Sequence, residues 1–185
     1  MLDRKKTTAF LSKLTESRLS DKNNYWGREV CFDYGTQEVR RIDYLQFCPE
    51  GTLSIDSLEK GVYRGYEIKS CKADFDSGFG KNFICEYNYM VMTMWTYKDL
   101  IESGKIDELP IFVGILIAAP DKKGRTNKEI LLEEFDNPSL LPRDYETNGW
   151  KLTPIRNSLK TYRKKPTLEM MFCLMRSRDA SFSNI

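Results

Sequence analysis

Asp43, Glu67 and Lys69 are the residues of this chain whose types and spacing suit a shared piece of chemistry. Glu67 and Lys69 stand two apart in YEIKSCKADF, residues 66–75. Side chains alternate along a strand, so both point to one face there while Ile68 points to the other. Such a pair is either a surface ion pair or part of a polar site. Asp43, in RRIDYL, lies on an earlier strand, and pairing of neighbouring strands brings facing residues to about 5 Å. Two carboxylates that close repel unless positive charge sits between them. Lys69 supplies one charge, and a divalent cation supplies more. Hard, oxygen-only ligands suit Mg²⁺ or Mn²⁺, which take one or two carboxylates and fill the rest of the shell with water and phosphate oxygens. Phosphodiester hydrolysis uses such an ion to neutralise phosphoryl oxygens and to acidify the attacking water. A lysine beside it orients that water and stabilises the developing negative charge.

The chain of 185 residues has no histidine. That removes Ser-His-Asp and Cys-His triads, histidine general bases and histidine-ligated zinc. Five cysteines, at 31, 48, 71, 85 and 173, are odd in number and lack the short spacing of a zinc knuckle or redox motif. They read as free buried thiols in a reducing cytoplasm. Lys and Arg number 29 against 27 Asp and Glu, a net charge of +2, so any basic footprint must be local. The longest apolar run, IFVGILIAAP at 111–120, is far too short to span a bilayer. MLDRKKTTAF has no apolar core of a secretory signal. The expected location is cytoplasmic, with no membrane partner.

The elements that must position the three residues read as one domain, 1–185. Residues 4–19 are a helix with Phe10, Leu11 and Leu14 on one side. GREVCFDYG and EVRRIDYLQF are strands joined by a DYGT turn, and VYRGYEIKS is a third. FDSGFGKNFICEYN reads as a loop running into a short helix, because Phe79, Phe83, Ile84 and Tyr87 recur near helical spacing. YMVMTM is a buried strand, TYKDLIESG a helix with Thr96 and Asp99 at capping-box spacing, and IFVGILIAA a strand buried on both faces. KEILLEEF leans towards a short strand. Thr153-Pro154 reads as a helix start carrying Ile155, Leu159 and Tyr162 on one face. Pro166 opens a further helix, with Leu168, Met171, Phe172 and Met175 as a core stripe. The order predicts an α/β (α+β) fold, a central mixed sheet flanked by helices.

RNSLKTYRKK, residues 156–165, has five cations and no acid. Lys160, Arg163, Lys164 and Lys165 read either as a nucleic-acid-binding stripe over Tyr162 or as an ordinary wet helix face.

RRIDYL followed by YEIKSCKADFDSGFGKNFICEYNYMVMT resembles the PD-(D/E)XK nuclease superfamily, and within it the MmcB-type DNA repair nucleases. That family follows its E-x-K strand with a Lys/Ser-rich ADF turn, a Lys-aromatic helix and an aromatic-rich strand. The likeness runs over residues 28–120, with Ile42 where the superfamily's name has proline. It implies a restriction-endonuclease-like sheet and a Mg²⁺- or Mn²⁺-dependent deoxyribonuclease, in DNA repair or in phage or host DNA processing. It makes Asp43 and Glu67 the metal carboxylates, Lys69 the catalytic lysine and Lys81 a further lysine at the next helix. Glu16 becomes an additional acid, though it also reads as a solvated helix position. DNA is the expected partner. The alternative is a catalytically silent module of the same fold that binds a protein or nucleic acid, with a homodimer or protein partner left open.

Overall fold

The structure, a computed structural model, describes residues 3–20, 25–37, 39–51, 54–177 and 181–182. Six strands form one mixed sheet: β1 (Tyr25–Phe32), β2 (Arg40–Cys48), β3 (Val62–Lys69), β4 (Tyr87–Thr93), β5 (Val113–Pro120) and β6 (Trp150–Arg156). A two-residue β7 (Ser181–Phe182) extends it, giving the order β6-β5-β4-β3-β2-β1-β7. β1, β2 and β3 pair antiparallel, as a meander. β3, β4 and β5 run parallel, and β6 returns antiparallel to β5. Six helices flank the sheet: α1 (Arg4–Ser20), α2 (Ile55–Lys60), α3 (Lys72–Asp76), α4 (Met94–Glu102), α5 (Asn127–Asp136) and α6 (Thr167–Met175). The fold is α/β, as the order of elements predicts. Among the described residues no helix is long and apolar enough to cross a membrane.

α1 covers one face, seating Phe10, Leu11, Leu14 and Leu19 against Tyr44, Tyr66, Ile68, Val91 and Leu116. The apolar side chains of the other face fall into two clusters. Val30, Phe32, Leu45, Phe47 and Tyr63 lie under Met170 and Leu174 of α6. Met90, Met92, Ile115 and Ile117 pack with Phe75 of α3 and Leu100 of α4. β3 sends Tyr63 into the first cluster. Further along the same face it carries Glu67 and Lys69, each paired across the parallel ladder with Met90 and Met92 of the second. The polar pair therefore stands between two apolar cores.

Five local expectations are overturned. Residues 127–136 are a helix and not a strand, because Thr126 and Glu129 close a reciprocal capping box and Ile130 and Glu134, four apart, share the buried face. Thr153-Pro154 lies inside β6 and starts no helix. β6 pairs with β5 on one side only, so Pro154's missing N–H is tolerated at this sheet edge, beside a register shift at Ile115/Leu116. The helix expected around Phe79–Tyr87 is absent, since positive φ at Gly78, Gly80 and Phe83 breaks helical geometry. α4 begins at Met94, and its cap is Thr93, whose hydroxyl accepts from the Thr96 N–H. In α6 the buried pair is Met170 and Leu174, while Leu168, Phe172 and Met175 of the expected stripe are exposed.

Candidate active site

β2 and β3 pair from Cys48↔Val62 up to Tyr44↔Tyr66. The next facing positions are Asp43 and Glu67, just beyond the last pair, where the strands part. Ile42 joins the cluster of Leu45 and Phe47 while Tyr44 joins the opposite one, so strict alternation slips at Asp43. Glu29, opposite Asp43 on β1, has a φ of 51°. With the strands apart, the Asp43 side chain replaces a ladder carbonyl: its Oδ2 accepts from the Ile68 N–H at 2.8 Å. A cleft of about 830 Å³ opens at this split, and Asp43, Glu67 and Lys69 line it. Arg4, Arg28 and Arg41 line the same cleft, each paired to an acid: Asp74 at 3.0 Å, Glu16 at 3.4 Å and Glu29 at 2.6 Å.

Glu67 is 7% exposed and Lys69 3%. Lys69 Nζ donates to the Phe79 carbonyl at 2.6 Å, which fixes the loop after α3 over the site. Gly80 completes that closure. A Cβ at this position would come 2.4 Å from Glu67 Oε2 and 3.1 Å from Lys69 Nζ, at a φ of +72° that already favours glycine. Burial pushes the Glu67 carboxyl well above the usual carboxylate range, and the Asp43 charge adds to the rise against the opposing pull of Lys69 and Arg41.

This shift sets a pH signature. Below the ordinary glutamate value of 4.5 the folded and unfolded chains are both protonated at Glu67. Above it the unfolded chain ionises first, the folded chain keeps its proton, and stability falls until the raised folded value is passed. Glu67→Gln, which cannot ionise, is expected to raise the Tm of the metal-free protein near neutral pH. The gain should vanish below the ordinary value. Thermal melts across a pH series check this; a variant less stable than wild type near neutrality contradicts a Glu67 carboxyl that stays protonated there.

The remaining expected residues are dispersed. Lys81 leaves the cleft, lying 3.7 Å over the Phe75 ring centroid and 3.7 Å from Glu108 Oε2. Glu16 sits one layer behind the cleft wall, accepting from Tyr44 OH at 2.7 Å and pairing with Arg28. The cationic segment 157–166 is not a helix, and it is tied to the body of the protein. Arg163 pairs with Glu86 at 3.0 Å, Lys165 with Asp33 and Glu169, and Lys164 Nζ donates to the Asn82 carbonyl. Lys160 has no side-chain partner among the described residues. Tyr162 is 96% exposed and packs beneath nothing. Three of the four cations of the expected stripe thus have structural employment.

Sequence reading missed Arg4, Arg28, Arg41 and Gly80. Arg41, two residues before Asp43, and the glycine pair in DSGFG were the available signals. Among the described residues no third Asp, Glu or Cys side chain joins Asp43 and Glu67 in a metal-binding cluster. Mixed-sheet architecture and a carboxylate pair with a buried lysine at a strand split define the class of site. No family model, no curated protein and no solved structure matches this chain.

Proposed function

We propose that the chain is a cytoplasmic, metal-dependent nuclease that hydrolyses DNA phosphodiester bonds, with the restriction-endonuclease-like core of the PD-(D/E)XK superfamily that its sequence resembles. The observation that carries this reading is the convergence of Asp43, Glu67 and Lys69 in one cleft where β2 and β3 separate. The donor set fits Mg²⁺ or Mn²⁺. It offers carboxylate oxygens only, and the Asp43 charge beside the buried Glu67 carboxyl is a repulsion that a dication relieves. Asp43 and Glu67 would hold the ion. When bound, it supplies charge neutralisation at the phosphoryl oxygens and a more acidic water.

The chain's own groups do the rest. Lys69, held at full burial by the Phe79 carbonyl, presents a fixed ammonium to the charge that develops on the phosphoryl group. Arg41 and Arg28 flank the entrance and offer guanidinium donors to a phosphate that displaces their present carboxylate partners. The Asp43 acceptor on the Ile68 N–H fixes one carboxylate oxygen, leaving the other for ligation.

The test is cleavage of end-labelled single-stranded and duplex DNA by the purified protein with Mg²⁺ or Mn²⁺. Cleavage that EDTA abolishes is expected. DNA bound but uncut under every metal condition would instead favour a silent module of the same fold.

A further inference from the structure

Phe79 lines the cleft yet is 80% exposed, and no ring or cation contact holds its side chain among the described residues. Its backbone is held firmly. The carbonyl takes the Lys69 ammonium at 2.6 Å, and Gly78 and Gly80 on either side have φ of +75° and +72°. The turn thus clamps itself to the lysine of the site and holds a bare phenyl ring outward at the mouth. Exposed aromatic surface of that size gains free energy when something covers it.

Two further observations say what that is. The cleft's charge is near balance: four cations line its walls against four acids, of which Glu67 keeps its proton, and its arginines are already paired. One net positive charge is not the extended cationic field that grips the phosphates of a duplex by releasing counterions. Its volume of about 830 Å³ lies in the range of roughly 300–1,000 Å³ typical of small-ligand sites. Such a hollow takes a nucleotide-sized group and not the side of a double helix. Beyond the single phosphate that Lys69, Arg28 and Arg41 can meet, the means of gripping DNA is stacking, which every base permits.

We propose that the cleft takes DNA as an unpaired strand, and that Phe79 stacks on a base beside the phosphate at Lys69, so that the protein prefers single-stranded over duplex DNA. The proposal rests on the nuclease reading above and adds the substrate's form and a specificity-determining residue. Phe79 couples the two tasks because one residue presents the ring to the base and its carbonyl to the lysine.

The experiment is fluorescence anisotropy of a labelled single-stranded oligonucleotide and of its blunt duplex, titrated in EDTA with wild type, Phe79→Leu and Phe79→Trp. The single strand should bind wild type roughly tenfold more tightly than the duplex, and Phe79→Leu should lose about tenfold on the single strand alone. Phe79→Trp should retain wild-type affinity because the indole keeps a π-face, whereas leucine, apolar but without one, distinguishes stacking from simple burial. The exposed position predicts unchanged melting temperatures for both variants. Equal or tighter duplex binding, no binding of either DNA, or a Phe79→Leu variant that binds like wild type would overturn the proposal. Cleavage in Mn²⁺, measured in parallel, judges the underlying reading separately. Phe79-dependent single-strand binding without cleavage removes the nuclease and keeps the strand preference. Cleavage with duplex preference does the reverse.

Discussion

Asp43→Asn, Glu67→Gln and Lys69→Ala are each expected to lower the rate of Mn²⁺-dependent DNA cleavage by at least about 100-fold, the scale for losing one preorganised charge at a transition state. The structure explains why each loss is large. Glu67 and Lys69 are almost wholly buried and cannot be replaced by a mobile neighbour or by bulk water. Asp43 is held by the Ile68 N–H, so its amide variant keeps the geometry and loses only the charge. The three act as one unit, and a Glu67→Gln, Lys69→Ala double variant should fall little below the worse single one. Lys81→Ala should stay near wild type, because that lysine serves Phe75 and Glu108 outside the cleft. Rates at saturating and limiting DNA separate this from weakened binding. Cleavage that survives all three single substitutions removes these residues from the mechanism.

The second large effect is on stability. A ligand that binds only the folded state stabilises it by RT ln(1 + [L]/Kd), about 2.7 kcal/mol at a hundredfold excess over Kd. For a chain of this size that corresponds to a rise of roughly 5–10 °C in Tm. Wild type should show this rise as Mn²⁺ is added, since the ion replaces the proton held on the buried Glu67 carboxyl beside the Asp43 charge. Glu67→Gln should lose most of it. The two proteins therefore exchange rank: the variant melts higher in EDTA near neutral pH, and wild type melts higher in Mn²⁺. A surface ion pair between Glu67 and Lys69 predicts no metal response in either protein. Melts of both, in EDTA and across a Mn²⁺ titration, distinguish the readings.

Much of the sheet was legible because its central strands obey local rules. β4 and β5 are short, largely apolar runs, and α1 buries Phe10, Leu11 and Leu14 on the face its periodicity predicts. The edges were not legible. Thr153-Pro154 carries a genuine helix-start signal, and only pairing with β5, distant in sequence, makes the segment a strand. Capping at Thr126 and Glu129 outweighs the strand-like apolar run of residues 130–132. The site divides in the same way. Asp43, Glu67 and Lys69 were visible as charged groups placed on strands, and the facing register that joins the first two is a property of strand pairing. What closes over them was invisible. The Phe79 carbonyl on Lys69 and the Gly80 contact arise from a turn whose aromatic spacing imitated a helix. The cationic segment 157–166 shows the converse error, since charge in sequence does not reveal that Arg163 and Lys165 face buried or half-buried acids.

The most direct measurement of the central claim is the position of Mn²⁺ in crystals of the protein, located by its anomalous scattering. A dication held by the Asp43 and Glu67 carboxylates at the β2/β3 split is the predicted result, with the peak lost in crystals of Glu67→Gln grown under the same conditions. A clear cleft at millimolar Mn²⁺, or the ion bound elsewhere, would contradict it.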